Sequence, residues 1–158
     1  MLEKMKMIWQ DAKQLKDERG LTLVELLVVV VILGIIAAIA VVAIGGIIEN
    51  SKKDAMVADA KQMVSSAKIY TASNDVIDGT VLNFNGEAEG TTDLSSYVGS
   101  LKDPFKEGTY NTATVTVGKN GNKYTYTANL VGEKFTLSGL ESALKKDSLS
   151  ATDSGDDE

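Results

Sequence analysis

Neither cysteine nor histidine occurs among the 158 residues. Thiol nucleophiles, imidazole bases and the zinc sites built from either residue are thereby excluded, and the commonest enzyme constellations go with them. No disulfide can close a loop, so strand hydrogen bonds must hold the C-terminal half together. Proline is nearly absent: the first and single one is Pro104. Charge is missing altogether between Glu25 and Glu49, where twenty-three residues are drawn only from Leu, Val, Ile, Ala and Gly.

That last absence is the strongest signal in the chain. As a helix rising about 1.5 Å per residue, the run covers roughly 35 Å, enough for a hydrocarbon core of about 30 Å. The sequence therefore predicts a membrane span, and 158 residues leave room for one small domain beside it. Glu25 interrupts an apolar run that begins at Leu21. A charge at that depth costs on the order of 2.5–3.5 kcal/mol, so it requires a partner or a task unless the carboxylate snorkels to the membrane edge. The net charge is −6. Residues 1–20 carry five bases and four acids, so the acidity belongs to the remainder, which makes it a poor general partner for nucleic-acid phosphates. Bases from Lys4 to Arg19 outnumber Lys52 and Lys53 beyond the span, which predicts a cytoplasmic N-terminus.

Gly20-Leu21-Thr22-Leu23-Val24-Glu25, continued by Leu26, Leu27 and the Val/Ile/Ala/Gly run, closely resembles the class III signal of type IV pilins and pseudopilins. The resemblance implies that a membrane-embedded aspartyl prepilin peptidase cuts after Gly20 and that the new amine of Leu21 is methylated. The family more often has phenylalanine at that position. It further implies that Glu25 pairs with the terminal amine of a neighbouring subunit. An ammonium against a carboxylate in low dielectric penalises a wrong register. Many Gram-negative pilins close a C-terminal loop with a disulfide, so the lack of cysteine leans toward a Gram-positive type. In the family this helix often melts near a glycine and a proline. Gly34 stands where that glycine commonly lies and Val42 takes the proline position, so any flexibility rests on Gly34 or on Gly45 and Gly46, at about 1 kcal/mol each. Glycine is also frequent in membrane helices, where it lets backbones approach.

Around the span the chain divides by composition. Residues 1–20 form a leader without the apolar core and small-residue cleavage site of a secretory signal. Leu2, Met5, Trp9, Ala12 and Leu15 recur at helical spacing, which suits an interfacial helix with Trp9 at the headgroups and equally a solvated leader. Residues 21–48 form the membrane and assembly helix, and 49–73 its amphipathic continuation, where Met56, Ala60, Met63, Val64, Ala67 and Tyr70 share one face. Glu49 precedes Lys52 and Lys53 in the favourable order for pairing. Residues 74–149 form the small domain. It opens with an Asn/Asp/Gly/Thr-rich loop from Asn74 to Gly90, followed by a capped short helix near Thr92 to Val98. Asp103-Pro104-Phe105 is similar to the Asp-Pro-aromatic turn of major pseudopilins and many Gram-positive pilins. Val115 and Val117, then Tyr124, Tyr126, Ala128 and Leu130, alternate with threonine on either side of Asn120-Gly121, which predicts a tight hairpin. Phe135 and Leu137 mark a third strand, and residues 140–149 a short helix or docked segment. Residues 150–158 read as a disordered acidic tail.

The fold class is therefore α+β, a pilin-type fold in which a long N-terminal helix packs on a small antiparallel sheet of about three to four strands. The implied function is structural rather than enzymatic: a pilin-like subunit that polymerises through its N-terminal helix into a type IV pilus for motility or adhesion. Its partners would be copies of itself, the prepilin peptidase/methyltransferase and the inner-membrane assembly platform. Before assembly it would be a single-pass membrane protein with its C-terminal domain outside, and afterwards part of an extracellular pilus or envelope-spanning pseudopilus. A secretion pseudopilin, a competence pilin that takes up DNA and a membrane-anchored receptor that never polymerises are the alternatives. No cofactor is expected. Asp93, Asp103 and Glu107 flank a loop where some pseudopilins hold calcium, and suit turn and cap carboxylates equally well. Lys119, Lys123 and Tyr124 at the hairpin tip are placed to meet a phosphate and a base, and equally suit a solvated turn.

Overall fold

The computed structural model describes residues 1–152, with side chains for all of these except 14–21. Helix α1 spans Leu2–Ser73. The chain divides into two compact units, residues 1–47 and 48–158. In the first, the apolar side chains point into open surroundings: Leu27 is 64 % exposed, Ile39 67 % and Val42 79 %. The segment Thr22–Ser73 contains a stretch long and apolar enough to cross a membrane.

The second unit is where α1 finds partners. Its 3.6-residue period brings Met56, Val57, Ala60, Met63, Val64 and Ala67 to one face, and all six are buried. Asn74 closes the helix by directing both its backbone N–H and its side-chain amide to the Tyr70 carbonyl, at 2.9 and 3.0 Å. The buried face shares one hydrophobic core with Val115, Val117, Ala128, Leu130 and Leu137 of a six-stranded sheet.

The strands are β1 (Thr80–Asn83), β2 (Thr92–Asp93), β3 (Thr112–Asn120), β4 (Lys123–Val131), β5 (Phe135–Leu140) and β6 (Leu149–Ala151). They lie in the order β2-β1-β3-β4-β5-β6, with β1 and β2 parallel and every other pair antiparallel. The threonine alternation works as expected: Ala113, Val115 and Val117 of β3 and Tyr126, Ala128 and Leu130 of β4 face the core. Asn120 pairs with Lys123, so the two-residue loop is Gly121-Asn122. Gly121 has φ +62° and no described non-glycine residue has positive φ. This is a Gly-X loop, not the Asn-Gly loop in which both central residues take positive φ.

The sheet is larger than the three or four strands expected, because short strands were concealed in stretches that read as loop. β1 lies in the region that its Asn, Asp and Gly content marks as loop, yet Leu82 within it and Phe84 just after it are buried. Near Thr92 to Val98 the chain forms β2 and a 3-10 turn at Ser95–Tyr97 instead of a short α-helix. Residues 140–149 form two 3-10 turns around the buried Leu144, and Ser150 and Ala151, expected in the tail, pair with Thr136 and Phe135 in β6. Residues 153–158 of that tail lie outside the described residues.

One carboxylate ties the loops below the sheet together. Asp103 is 3 % exposed; its Oδ1 accepts from the Phe105 amide at 2.8 Å and its Oδ2 from the Glu133 amide at 2.6 Å. A Cβ on Gly132 would stand 2.8 Å from that Oδ2 and 3.1 Å from the Phe135 carbonyl, so glycine is required there by space. Phe105 and Phe135 meet edge to face at 5.0 Å above this knot. Asp103→Ala leaves two amides without their acceptor and is expected to cost about 1–3 kcal/mol. Gly132→Ala drives a methyl into the same carboxylate and lowers stability in the same direction. Thermal unfolding of the full chain in detergent, followed by circular dichroism, checks both; unchanged midpoints would mean that the knot contributes nothing.

Candidate functional site

Gly20, Leu21 and Glu25 all lie within α1, with the side-chain positions of 20 and 21 outside the described residues. Leu21 and Glu25 are one helical turn apart. Glu25 is exposed, and among the described residues it makes no salt bridge. It stands directly before the uncharged run that starts at Leu26. An exposed carboxylate is at ease in water, but in an apolar surrounding the same group demands a cation.

Gly34, Gly45 and Gly46 sit in unbroken helix, and a Cβ at any of them would meet nothing within 4 Å. Packing among the described residues therefore gives no reason for glycine at these positions, where it costs about 1 kcal/mol each against alanine. Without a Cβ the rod is locally narrower at these positions.

The other candidate residues are not brought together as sites. Asp103 spends both oxygens on backbone amides, and Asp93 Oδ1 accepts from the Ser95 amide at 2.8 Å. Glu107 is exposed on its turn, and no group of three or more acidic side chains among the described residues is placed to hold a metal. At the hairpin tip Lys119 Nζ lies 2.9 Å from Asp75 Oδ1 and 5.4 Å from the centre of the Tyr124 ring. Its backbone amide donates to Asp78 Oδ1 at 2.7 Å. The Asp75 hydrogen bond raises the pKa of Lys119, and Lys119 in turn lowers that of Asp75. Lys119 thus has an anion of the same chain beside it.

Glu49 bridges Lys53 at 3.0 Å and Lys134 at 3.3 Å, and both lysines hold its pKa below the ordinary carboxylate value. Lys52 takes a different partner from the one expected, lying 5.3 Å from the centre of Phe105. Sequence reasoning did not single out Asp59. It projects from the buried side of α1, where the Tyr110 hydroxyl donates to its Oδ2 at 2.7 Å. Desolvation raises the Asp59 pKa above its usual value, against the opposing pull of that hydrogen bond, and burial followed by the Asp59 contact raises Tyr110 as well. The signal was present in the sequence, since Asp59 falls beside Met56, Ala60 and Met63 on the helical period.

Residues 15–41 match the family model of the prokaryotic N-terminal methylation motif. No curated protein and no solved structure gives a match. The matched stretch takes in Gly20, Leu21, Glu25 and Gly34 and stops short of Gly45 and Gly46. A motif characteristic of type IV pilin-like proteins is therefore present, on a long apolar helix that leads into an α+β unit. These features support a pilin- or pseudopilin-like protein and are consistent with a structural, non-enzymatic role.

The raised Asp59 pKa has a defined sign. Between the unfolded value of about 3.9 and the higher folded one, the native state binds more protons, so the contribution is full below the window and is lost as pH rises through the folded pKa. Asp59→Asn retains an acceptor for Tyr110 and removes the titration. Its stability relative to the parent is expected to improve as pH rises from acid to neutral, read from urea midpoints across that range; a constant difference would mean that Asp59 titrates alike folded and unfolded.

Proposed function

We propose that the chain is a pilin subunit that is cut between Gly20 and Leu21, methylated on the new amine of Leu21 and polymerised through its N-terminal helix into a type IV pilus. The observation that carries this reading is the coincidence of the methylation motif with an apolar helical surface that the described residues leave open and that is headed by a single acid, Glu25. Packing of neighbouring Val, Ile, Leu and Ala faces supplies the cohesion, and the pair between Glu25 and the adjacent Leu21 amine supplies the register. The subunit waits as a single-pass membrane protein with its C-terminal domain outside, and the assembly platform and the peptidase are its other partners. Gly34, Gly45 and Gly46 serve as close-approach or hinge positions in the packed bundle. Lys119 is already occupied by Asp75, which speaks against DNA as the primary partner.

Intact mass of the protein recovered from sheared surface material tests the first half: a chain beginning at methylated Leu21 is expected, and Gly20→Ala is expected to retain the leader. An unprocessed chain in the polymer would sink the reading. Glu25→Ala is expected to be processed and held in the membrane while filament yield collapses; normal yield would remove the register role. A dominant band in the sheared fraction is the outcome expected of a pilus, and its restriction to the cell envelope would point to a secretion pseudopilus.

A further inference from the structure

The leader segment is an amphipathic helix in its own right. With 100° between successive side chains, Leu2, Met5, Ile8, Trp9 and Ala12 occupy an arc of about 120°. Leu2 is 78 % exposed, Met5 68 %, Ile8 68 % and Trp9 70 %, so no described residue covers that arc. Charge is distributed around it with a sign preference. Lys4, Lys6 and Lys13 fall about 80–100° from its centre, on its two flanks, whereas Asp11 and Glu3 fall about 120–160° away, toward the opposite side. Lys13 Nζ is folded back over the Trp9 ring at 5.1 Å. Cations bordering an apolar face, with anions turned away from it, match a lipid surface whose phosphates lie level with the flanks and whose acyl chains lie beneath the arc.

We propose that residues 2–13 dock flat on the anionic leaflet of the membrane that the same polypeptide enters at Leu26, with Trp9 at the boundary of headgroups and acyl chains. Docking in the plane of the membrane requires α1 to bend out of the spanning direction between Lys13 and Leu26. Gly20, with a helix cost of about 1 kcal/mol, is the weakest point in that interval. Surface docking of the leader would therefore open the helix at the bond next to Leu21, the bond a peptidase must reach in open form. The inference rests on the membrane reading of residues 26–48 and on no later step of assembly.

Trp9 is the single tryptophan of the chain, so its fluorescence reports on the leader alone. The experiment uses full-length precursor reconstituted into phosphatidylcholine vesicles with or without phosphatidylglycerol, and with lipids brominated high on the acyl chain. Expected are blue-shifted Trp9 emission and strong bromine quenching in the anionic vesicles, weakened without phosphatidylglycerol and in a Lys4→Glu, Lys6→Glu, Lys13→Glu variant. Solvent-like emission that aqueous acrylamide quenches equally in all vesicles overturns the proposal. A blue shift without bromine quenching overturns it too, because Trp9 would then be packed on another copy of the chain. Flotation with the vesicles distinguishes the levels: a floating precursor with a wet Trp9 refutes leader docking alone, and one that does not float refutes the membrane reading beneath it.

Discussion

A helix that presents apolar side chains on every face must be covered by something other than its own fold. Each Leu, Ile or Val left in water forfeits about 1.5–3 kcal/mol, and the described residues bury none of the most apolar window. Over the run from Leu26 to Ile48 the deficit is on the order of tens of kcal/mol, more than the whole stability of an ordinary domain. Lipid removes the deficit, and so does a sheath of identical helices. The two covers are nearly equivalent for Val and Ile, which have little preference between acyl chains and each other. They are far from equivalent for Glu25, which finds no cation among acyl chains. One carboxylate can thus bias a choice to which the rest of the helix is almost indifferent.

The second unit obeys the opposite rule, with its polar groups settled internally. Where α1 meets the sheet and its loops, three hydrogen bonds interrupt the apolar contact: Asp59 with Tyr110 at 2.7 Å, Ser66 Oγ with the Tyr97 carbonyl at 3.3 Å, and Thr71 with the Tyr126 hydroxyl at 2.7 Å. Among the described residues no buried side-chain nitrogen or oxygen lacks a partner. Methionine and alanine contacts would tolerate sliding along the helix, and these directional bonds do not. Lys146 with Asp54 at 2.8 Å and Lys68 with Glu141 add ion pairs between the C-terminal segment and α1. Both are exposed and worth little in energy, so the buried Leu144 is the firmer anchor.

Sequence periodicity revealed the long elements because each repeats its pattern several times. The helix face from Met56 to Ala67, and the threonine-spaced strands β3 and β4, are legible for that reason. β1, β2 and β6 span only four, two and three residues, too few for an alternation to show against their Asn, Asp and Ser neighbours. What makes them strands is the partner beside them, a tertiary cause that local composition does not contain. The same holds for the candidate residues. Glu25 is conspicuous because its surroundings are uncharged and Asp103 because proline and an aromatic follow it, whereas Asp59 shows only as one acid beside an apolar helical face until folding surrounds it.

The brevity of the outermost strands has a consequence for crowding. Among the described residues the sheet's margins are the two residues of β2 with the first half of β1 on one side, and the three of β6 with the second half of β5 on the other. The free backbone donors and acceptors at these margins come in runs of only two or three residues, too short for another sheet to extend well. Such a molecule can be held at high local density without the amyloid-like adhesion that longer margins would invite.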